Sequence, residues 1–199
     1  MAKIKHTKNE LKAQRDALRR FKRYLPTLLL KKQQLQMEMR QLDQRMEEVR
    51  DEMERLRAAT LPWVRLFAEP VDLSALVKLS AVKTSTGNIA GVNIPILQEV
   101  EFEPIEPDLH GTDPWVDDGR KVVEDLVRLQ IEHEILEEQH RLLAAELRTT
   151  SQRVNLFEKV KIPEAQANIR TIRIYLGDAQ TAEVARAKIA KGKSVEIAA

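Results

Sequence analysis

The chain of 199 residues has no cysteine, six glycines, and only 4% aromatic residues against 32% charged ones. Without cysteine there is no disulfide framework and no thiolate metal site, and a reducing compartment fits. So few aromatics among so many charges points away from a large compact core and toward long, charge-rich helices. No run of about 18 apolar residues occurs, so no membrane-spanning helix is expected. The basic N-terminus lacks the apolar segment of a secretory signal, so none is expected there. The default expectation is a cytoplasmic protein.

What the chain does have is a pair of long heptad stripes. One line runs Leu11, Leu18, Leu25, Lys32, Met39, Met46, Met53. A second, offset by three, runs Gln14, Phe21, Leu28, Leu35, Leu42, Val49, Leu56. These are the a and d positions of a helical seam, broken only by Gln14 and Lys32. A second seam follows residue 120: Val122, Leu126, Leu129, His133, Leu136, His140, Leu143, Leu147, Thr150, Val154 and Phe157. Two such helices in one chain predict a fold-back into an antiparallel coiled coil, a mainly α fold shaped as a rod.

The formal net charge of +2 conceals a split. The first 32 residues hold eleven Lys/Arg against Glu10 and Asp16, whereas residues 61–120 hold four Lys/Arg against ten Asp/Glu. A fold-back sets the basic N-terminus beside Arg186, Lys188, Lys191 and Lys193. The rod then has one positive and one negative end, suited to different partners.

The organisation follows. Residues 1–60 form the N-terminal coiled-coil helix, starting near Lys8 and spanning roughly 75–80 Å. Pro26 should kink it, because proline lacks an N–H and crowds the carbonyl four residues back. The helix should stop before Leu61-Pro62. Residues 61–116 are a middle region with a short helix from about Asp72. It also holds a β-hairpin over about 79–103, with turn signals at Gly87-Asn88 and Gly91, and a Pro-rich linker over 103–115. An isolated hairpin is marginal in water, so this one should pack on the coil or on a partner. Residues 117–191 form the C-terminal helix, with Asp117 and Asp118 at the positive end of its dipole. Pro163 interrupts it, and the stripe resumes in a new register at Ile162, Ala165, Ile169, Ile172, Leu176 and Ala179, a stutter-like change. Residues 192–199 are expected to fray.

Chemistry-bearing motifs are sparse. Glu137-x-x-His140, with His133 one heptad earlier, has the spacing of carboxylate-bridged metal bundles. The facing seam, however, offers Met39, Leu42, Met46 and Val49 rather than the required carboxylates. Gly192-Lys193-Ser194 lacks the preceding glycine of a phosphate loop, since Ala187 stands there. No nucleophile–base arrangement appears, so no catalytic, cofactor or metal residue is assigned. The N-terminal lysines and arginines suit phosphates, but no base-reading module accompanies them.

One stretch is more specific. Thr150 to Pro163 reads Thr-Ser-Gln-Arg-Val-Asn-Leu-Phe-Glu-Lys-Val-Lys-Ile-Pro. It resembles the Thr-x-Arg-Arg-Val-Asn-Ala-Leu-Glu-x-x-x-Ile-Pro signature of the D-subunit family of V-type (V/A-type) ATPases. Thr7-Lys8-Asn9-Glu10-Leu11, Leu28-Leu29-Leu30-Lys31-Lys32-Gln33-Gln34-Leu35 and Gly91-Val92-Asn93-Ile94-Pro95 are similar to further family segments in the same order. Gln152 and Gln33-Gln34 depart from the family pattern, and the stretch after Leu176 is Ala-rich.

The resemblance implies a non-catalytic central rotor shaft. Its terminal helices would lie inside the ring of A and B subunits. The F subunit would bind the shaft, and the funnel-like C subunit (called d in eukaryotes) would couple it to the membrane ring. It would sit in the soluble sector, peripheral to the membrane, without cofactor. On this reading Arg15, Arg19, Arg20, Lys22 and Arg23 are bearing contacts, and Arg153 and Asn155 contact the catalytic subunits. Gly91, Val92 and Pro95 mark a hairpin facing the F or C subunits. The alternatives are a free-standing coiled-coil adaptor or chaperone-like scaffold and, after that, a nucleic-acid-binding rod.

Overall fold

A computed structural model describes residues 4–69, 77–104 and 113–198. Its elements are α1 (Lys8–Thr60), a 3-10 helix (Leu61–Ala68), strands β1 (Leu79–Ile89) and β2 (Val92–Phe102), α2 (Trp115–Asn155), a π-helical segment (Leu156–Lys161) and α3 (Ile162–Ala198). The fold is thus mainly α, with two long helical stretches and a small antiparallel hairpin between them. The short helix expected from about Asp72 and most of the linker lie outside the described residues. Two compact units are present: residues 1–31 with 149–199, and residues 32–148.

Within the 32–148 unit, the core takes Leu35, Leu42, Val49 and Met53 from α1, Leu136 and Leu143 from α2, and Ile94 from β2. The α1 and α2 members stand at heptad spacings, so burial follows the stripe rather than overall apolarity. Arg45 donates to Glu132 at 2.7 Å, and His140 Nε2 lies 3.2 Å from Asp43. Partners therefore run in opposite directions along the two helices. The α1 helix stops at Thr60, as the following Leu61-Pro62 requires. The chain continues as a 3-10 helix with Pro62 in its first turn, a place where a missing N–H costs nothing. This short helix was not expected from the pattern. Its Trp63 and Phe67 stack at 5.3 Å, Phe67 meets Trp115 at 5.5 Å, and Trp115 Nε1 donates to Glu69 at 2.9 Å. That cluster fastens the start of α2, which begins two residues earlier than the expected Asp117.

The hairpin in the same unit turns at Gly91, one of the two expected signals, and not at Gly87-Asn88. Gly87 and Asn88 belong to β1, paired with Ile94 and Asn93, and the chain reverses at Ala90-Gly91. Both turn residues have positive φ (50° and 82°), as a two-residue type I′ connection demands. Asn88 fixes it, donating to Asn93 Oδ1 at 2.8 Å and accepting from the Gly91 N–H at 3.1 Å. At Gly87 the end of the Ile96 side chain occupies the space a Cβ would take. Register shifts between Leu79 and Ala81 and between Lys83 and Thr84 break the strict alternation, and Ile96 is left 42% exposed.

In the unit of residues 1–31 and 149–199, α1 opens on Thr7, whose hydroxyl accepts from the Glu10 N–H at 3.2 Å. Thr7-x-x-Glu10 is therefore half of a capping box, with the Glu10 carboxylate turned instead to Gln14 at 2.8 Å. The antiparallel seam here joins His6 to Tyr175 (rings 4.8 Å apart), Gln14 to Asn168 (3.4 Å) and Phe21 to Phe157 (5.2 Å). Thr150, Val154, Ala165, Ile169 and Ile172 are buried against it. Helical backbone continues through Pro26, with the Thr27 hydroxyl donating to Tyr24 O at 2.8 Å. At Pro163 the interruption is not a break: the extra residue of the shifted stripe is taken up as π-helix before α3 begins. Helical backbone in α3 extends to Ala198.

Candidate partner-binding surfaces

Arg15, Arg19, Arg20, Lys22 and Arg23 all lie on the exposed side of α1, flanking the half-buried Leu18 and Phe21. The spacing explains this, because residues between the a and d positions of a heptad point away from the seam. Among the described residues, none of the five is paired with a carboxylate of this chain. Most of the ion pairs lie in the 32–148 unit, although Arg40, Arg50, Arg55 and Arg57 there are also exposed and form none among the described residues. There Arg45 is held by Glu132 and Glu48, Lys83 bridges Glu99 and Glu101, and Arg141 pairs with Glu138 at 2.6 Å. These contacts raise the pKa of Arg45 (chiefly through the Glu132 hydrogen bond) and of Lys83 (chiefly through Glu101), and lower that of Glu138 through Arg141.

The charge split follows the two units. Residues 1–31 and 149–199 carry nineteen Lys/Arg against seven Asp/Glu, while residues 32–148 carry fourteen against twenty-four. Unpaired basic side chains on the positive unit leave their field directed outward.

Arg153 and Asn155 are exposed on either side of Val154, which is buried in the seam. Next to them the π-helical segment displays Leu156 and Val160, 44% and 48% exposed. Neither apolar residue was singled out from the sequence. The available signal was that both fall off the heptad stripe.

The hairpin residues are placed otherwise. Gly91 is exposed at the turn, but Val92 packs against the coil core and the Pro95 carbonyl accepts from Gln139 Nε2 at 2.5 Å. Phe102 lies under the Arg128 guanidinium, 5.6 Å from ring centroid to Cζ. One face of the hairpin is thus seated on α2 of its own chain. His133 meets Glu137 at 3.7 Å and His140 meets Asp43, and among the described residues no group of three or more His, Cys, Asp or Glu is placed to hold a metal.

Comparison with known proteins shows the family. Residues 10–192 match the family model described as the ATP synthase D subunit. The chain belongs to the ATP synthase D-subunit family. It is 47% identical over 196 residues to the V-type ATP synthase D subunit of Borreliella burgdorferi, covering 98% of this chain and 97% of that one. It is 35% identical over 195 residues to that of Chlamydia muridarum, covering 96% of each chain. It is also 33% identical over 193 residues to that of Chlamydia pneumoniae, covering 96% of this chain and 92% of that one. Family membership thus extends over both units, so the basic α1 face, the π segment and the hairpin all fall inside the matched region. Among the described residues of this D-subunit family member, no helix is long and apolar enough to cross a membrane.

Proposed function

We propose that this chain is the central rotor shaft of a V-type rotary ATPase, transmitting torque between ATP turnover on a ring of A and B subunits and proton or sodium movement in the membrane sector. In this role it catalyses nothing and holds no cofactor. It works in the soluble sector, peripheral to the membrane. The F subunit binds along it, and the C subunit (d in eukaryotes) couples it to the membrane ring.

The observation that carries this reading is the exposed and unpaired basic face of Arg15, Arg19, Arg20, Lys22 and Arg23 on a coiled-coil helix of a D-subunit family member. A shaft that turns inside a ring needs contacts that hold it centred without locking it. Long, solvated cations facing acidic surfaces suit this, because exposed ion pairs are individually weak, on the order of 1 kcal/mol or less, and exchange readily. Arg153 and Asn155 supply a second contact zone. Gly91 remains available at the hairpin turn for the F or C subunits, with Val92 and Pro95 holding the hairpin in place behind it.

Affinity purification of the tagged chain tests the assembly: A and B subunits should co-purify, and recovery without either overturns the proposal. Arg19→Glu combined with Arg20→Glu should leave the isolated chain helical while weakening the link between hydrolysis and ion transport. Unchanged coupling in that variant removes the bearing role from this face.

A further inference from the structure

The π-helical segment is one residue too many. Upstream, Leu143, Leu147, Thr150, Val154 and Phe157 alternate spacings of four and three. Downstream, Ile162, Ala165, Ile169, Ile172, Leu176 and Ala179 do the same. Between Phe157 and Ile162 the step is five. Shortening that step by one residue joins the two runs into a single unbroken heptad with an apolar or small residue at every seam position. Continued as plain α-helix with its present length, the chain would instead carry Glu164, Asn168 and Thr171 into the seam. Each added residue turns an α-helix by about 100°.

The backbone absorbs the surplus as π-helix over Leu156–Lys161, with the Ile162 N–H reaching back five residues to Phe157 O. This returns Ala165, Ile169 and Ile172 to the seam, where they are buried. The solution weakens the local ladder. A π turn is wider and rarer than an α turn. It is followed at once by Pro163, which has no N–H to donate. Leu156 and Val160 are left facing outward. An uninterrupted heptad would remove the π turn and leave Pro163, Leu156 and Val160 as they are, so continuity of the seam does not account for the extra residue.

We propose that the π segment is a torsional joint, the place where this helix winds and unwinds when twisted about its axis. Converting one π turn to α, or moving it along the chain, rotates everything beyond it against everything before it. A weakened ladder lowers the resistance to that rotation here relative to the flanking α-helix. The proposal rests on the shaft reading, since only a chain under torque has use for such a joint.

The test compares three full-length chains, unmodified, with Lys159 deleted, and with Lys159→Ala, each alone and in the reconstituted V-type complex. Lys159 is exposed, so its deletion changes length with little loss of packing. Alone, the deletion chain should melt at a higher temperature than the other two. In the complex it should assemble and hydrolyse ATP, yet transport fewer ions per ATP than the unmodified chain. Lys159→Ala, which keeps the length, should match the unmodified chain.

A lower melting temperature for the deletion chain would show that the coil needs the extra residue, and the joint would be rejected. Equal coupling by the deletion and unmodified chains would reject the joint while leaving the shaft reading intact. Failure of the deletion chain alone to assemble would assign the π segment to docking rather than torsion. Failure of the unmodified chain to assemble or couple would overturn the shaft reading, and the joint with it.

Discussion

Gln139 of α2 donates its side-chain amide to the backbone carbonyl of Pro95 in β2, at 2.5 Å and with Gln139 only 7% exposed. A proline carbonyl on a two-stranded hairpin has no third strand to bond with, so a buried glutamine supplies the donor. Together with Ile94 in the helical core, this contact makes the hairpin part of the 32–148 unit.

Replacing Gln139 with leucine should therefore strand the Pro95 carbonyl. A cost of about 1–3 kcal/mol is expected for a buried acceptor left without its partner. Chemical denaturation of the variant measures the loss. Amide exchange in β1 and β2 should rise while the α2 ladder around residue 143 stays protected. Uniform exchange changes across both elements would show that Gln139 supports the helix rather than the hairpin seat.

Gln14, at a stripe position, meets Asn168, which flanks the opposite stripe, at 3.4 Å. A polar residue at a single stripe position typically fixes register at some expense of stability. The double change Gln14→Leu with Asn168→Leu should raise the melting temperature. It should also broaden the set of cysteine pairs that cross-link between residues near 14 and 168. A sharper melt with one dominant cross-link would contradict the register role.

Leu35 and Tyr24 share helix α1 but not its energetics. Leu35 is fully buried, and Leu35→Ala should cost about 2–5 kcal/mol through lost burial and the cavity left behind. Tyr24 is exposed, and Tyr24→Ala should change stability by no more than about 0.5 kcal/mol. Thermal melts of the two variants, side by side, check whether the stripe or mere apolarity determines stability.

The Glu138–Arg141 pair predicts a pH effect of known sign. Arg141 holds the Glu138 carboxyl below its ordinary value, so its contribution is present at neutral pH and is lost as acid protonates the folded-state carboxylate. Melting temperature should fall slightly less on acidification for Glu138→Gln than for the unmodified chain, with the difference confined to pH below the ordinary glutamate pKa of about 4.3. Both groups are exposed, so the difference is small. A difference that persists unchanged from pH 7 to strong acid would assign the effect to something other than this charge.

Much of this was legible in the residues. Heptad spacing placed the seams, because burial in a coiled coil repeats with the helix itself. Leu61-Pro62 placed the end of α1, and the mismatched step after Phe157 announced a change of register. Of the two turn signals Gly91 forms the turn, whereas Gly87-Asn88 lies in β1 and its asparagine side chain holds the turn beyond it. The basic residues of the candidate site were legible as charges. Their lack of partners was not, since Asp16 stands three residues before Arg19 and four before Arg20, spacings that allow an ion pair within the helix.

Local chemistry in the sequence thus determined where helices start, stop and turn their apolar faces. Tertiary structure decided what those faces meet. It seated the hairpin on Gln139, clustered Trp63, Phe67 and Trp115, and converted one surplus residue into a π turn. The physical reason is common to all three. Periodicity states which side of an element must be buried, but only packing against a partner reveals how backbone and polar groups adjust to bury it.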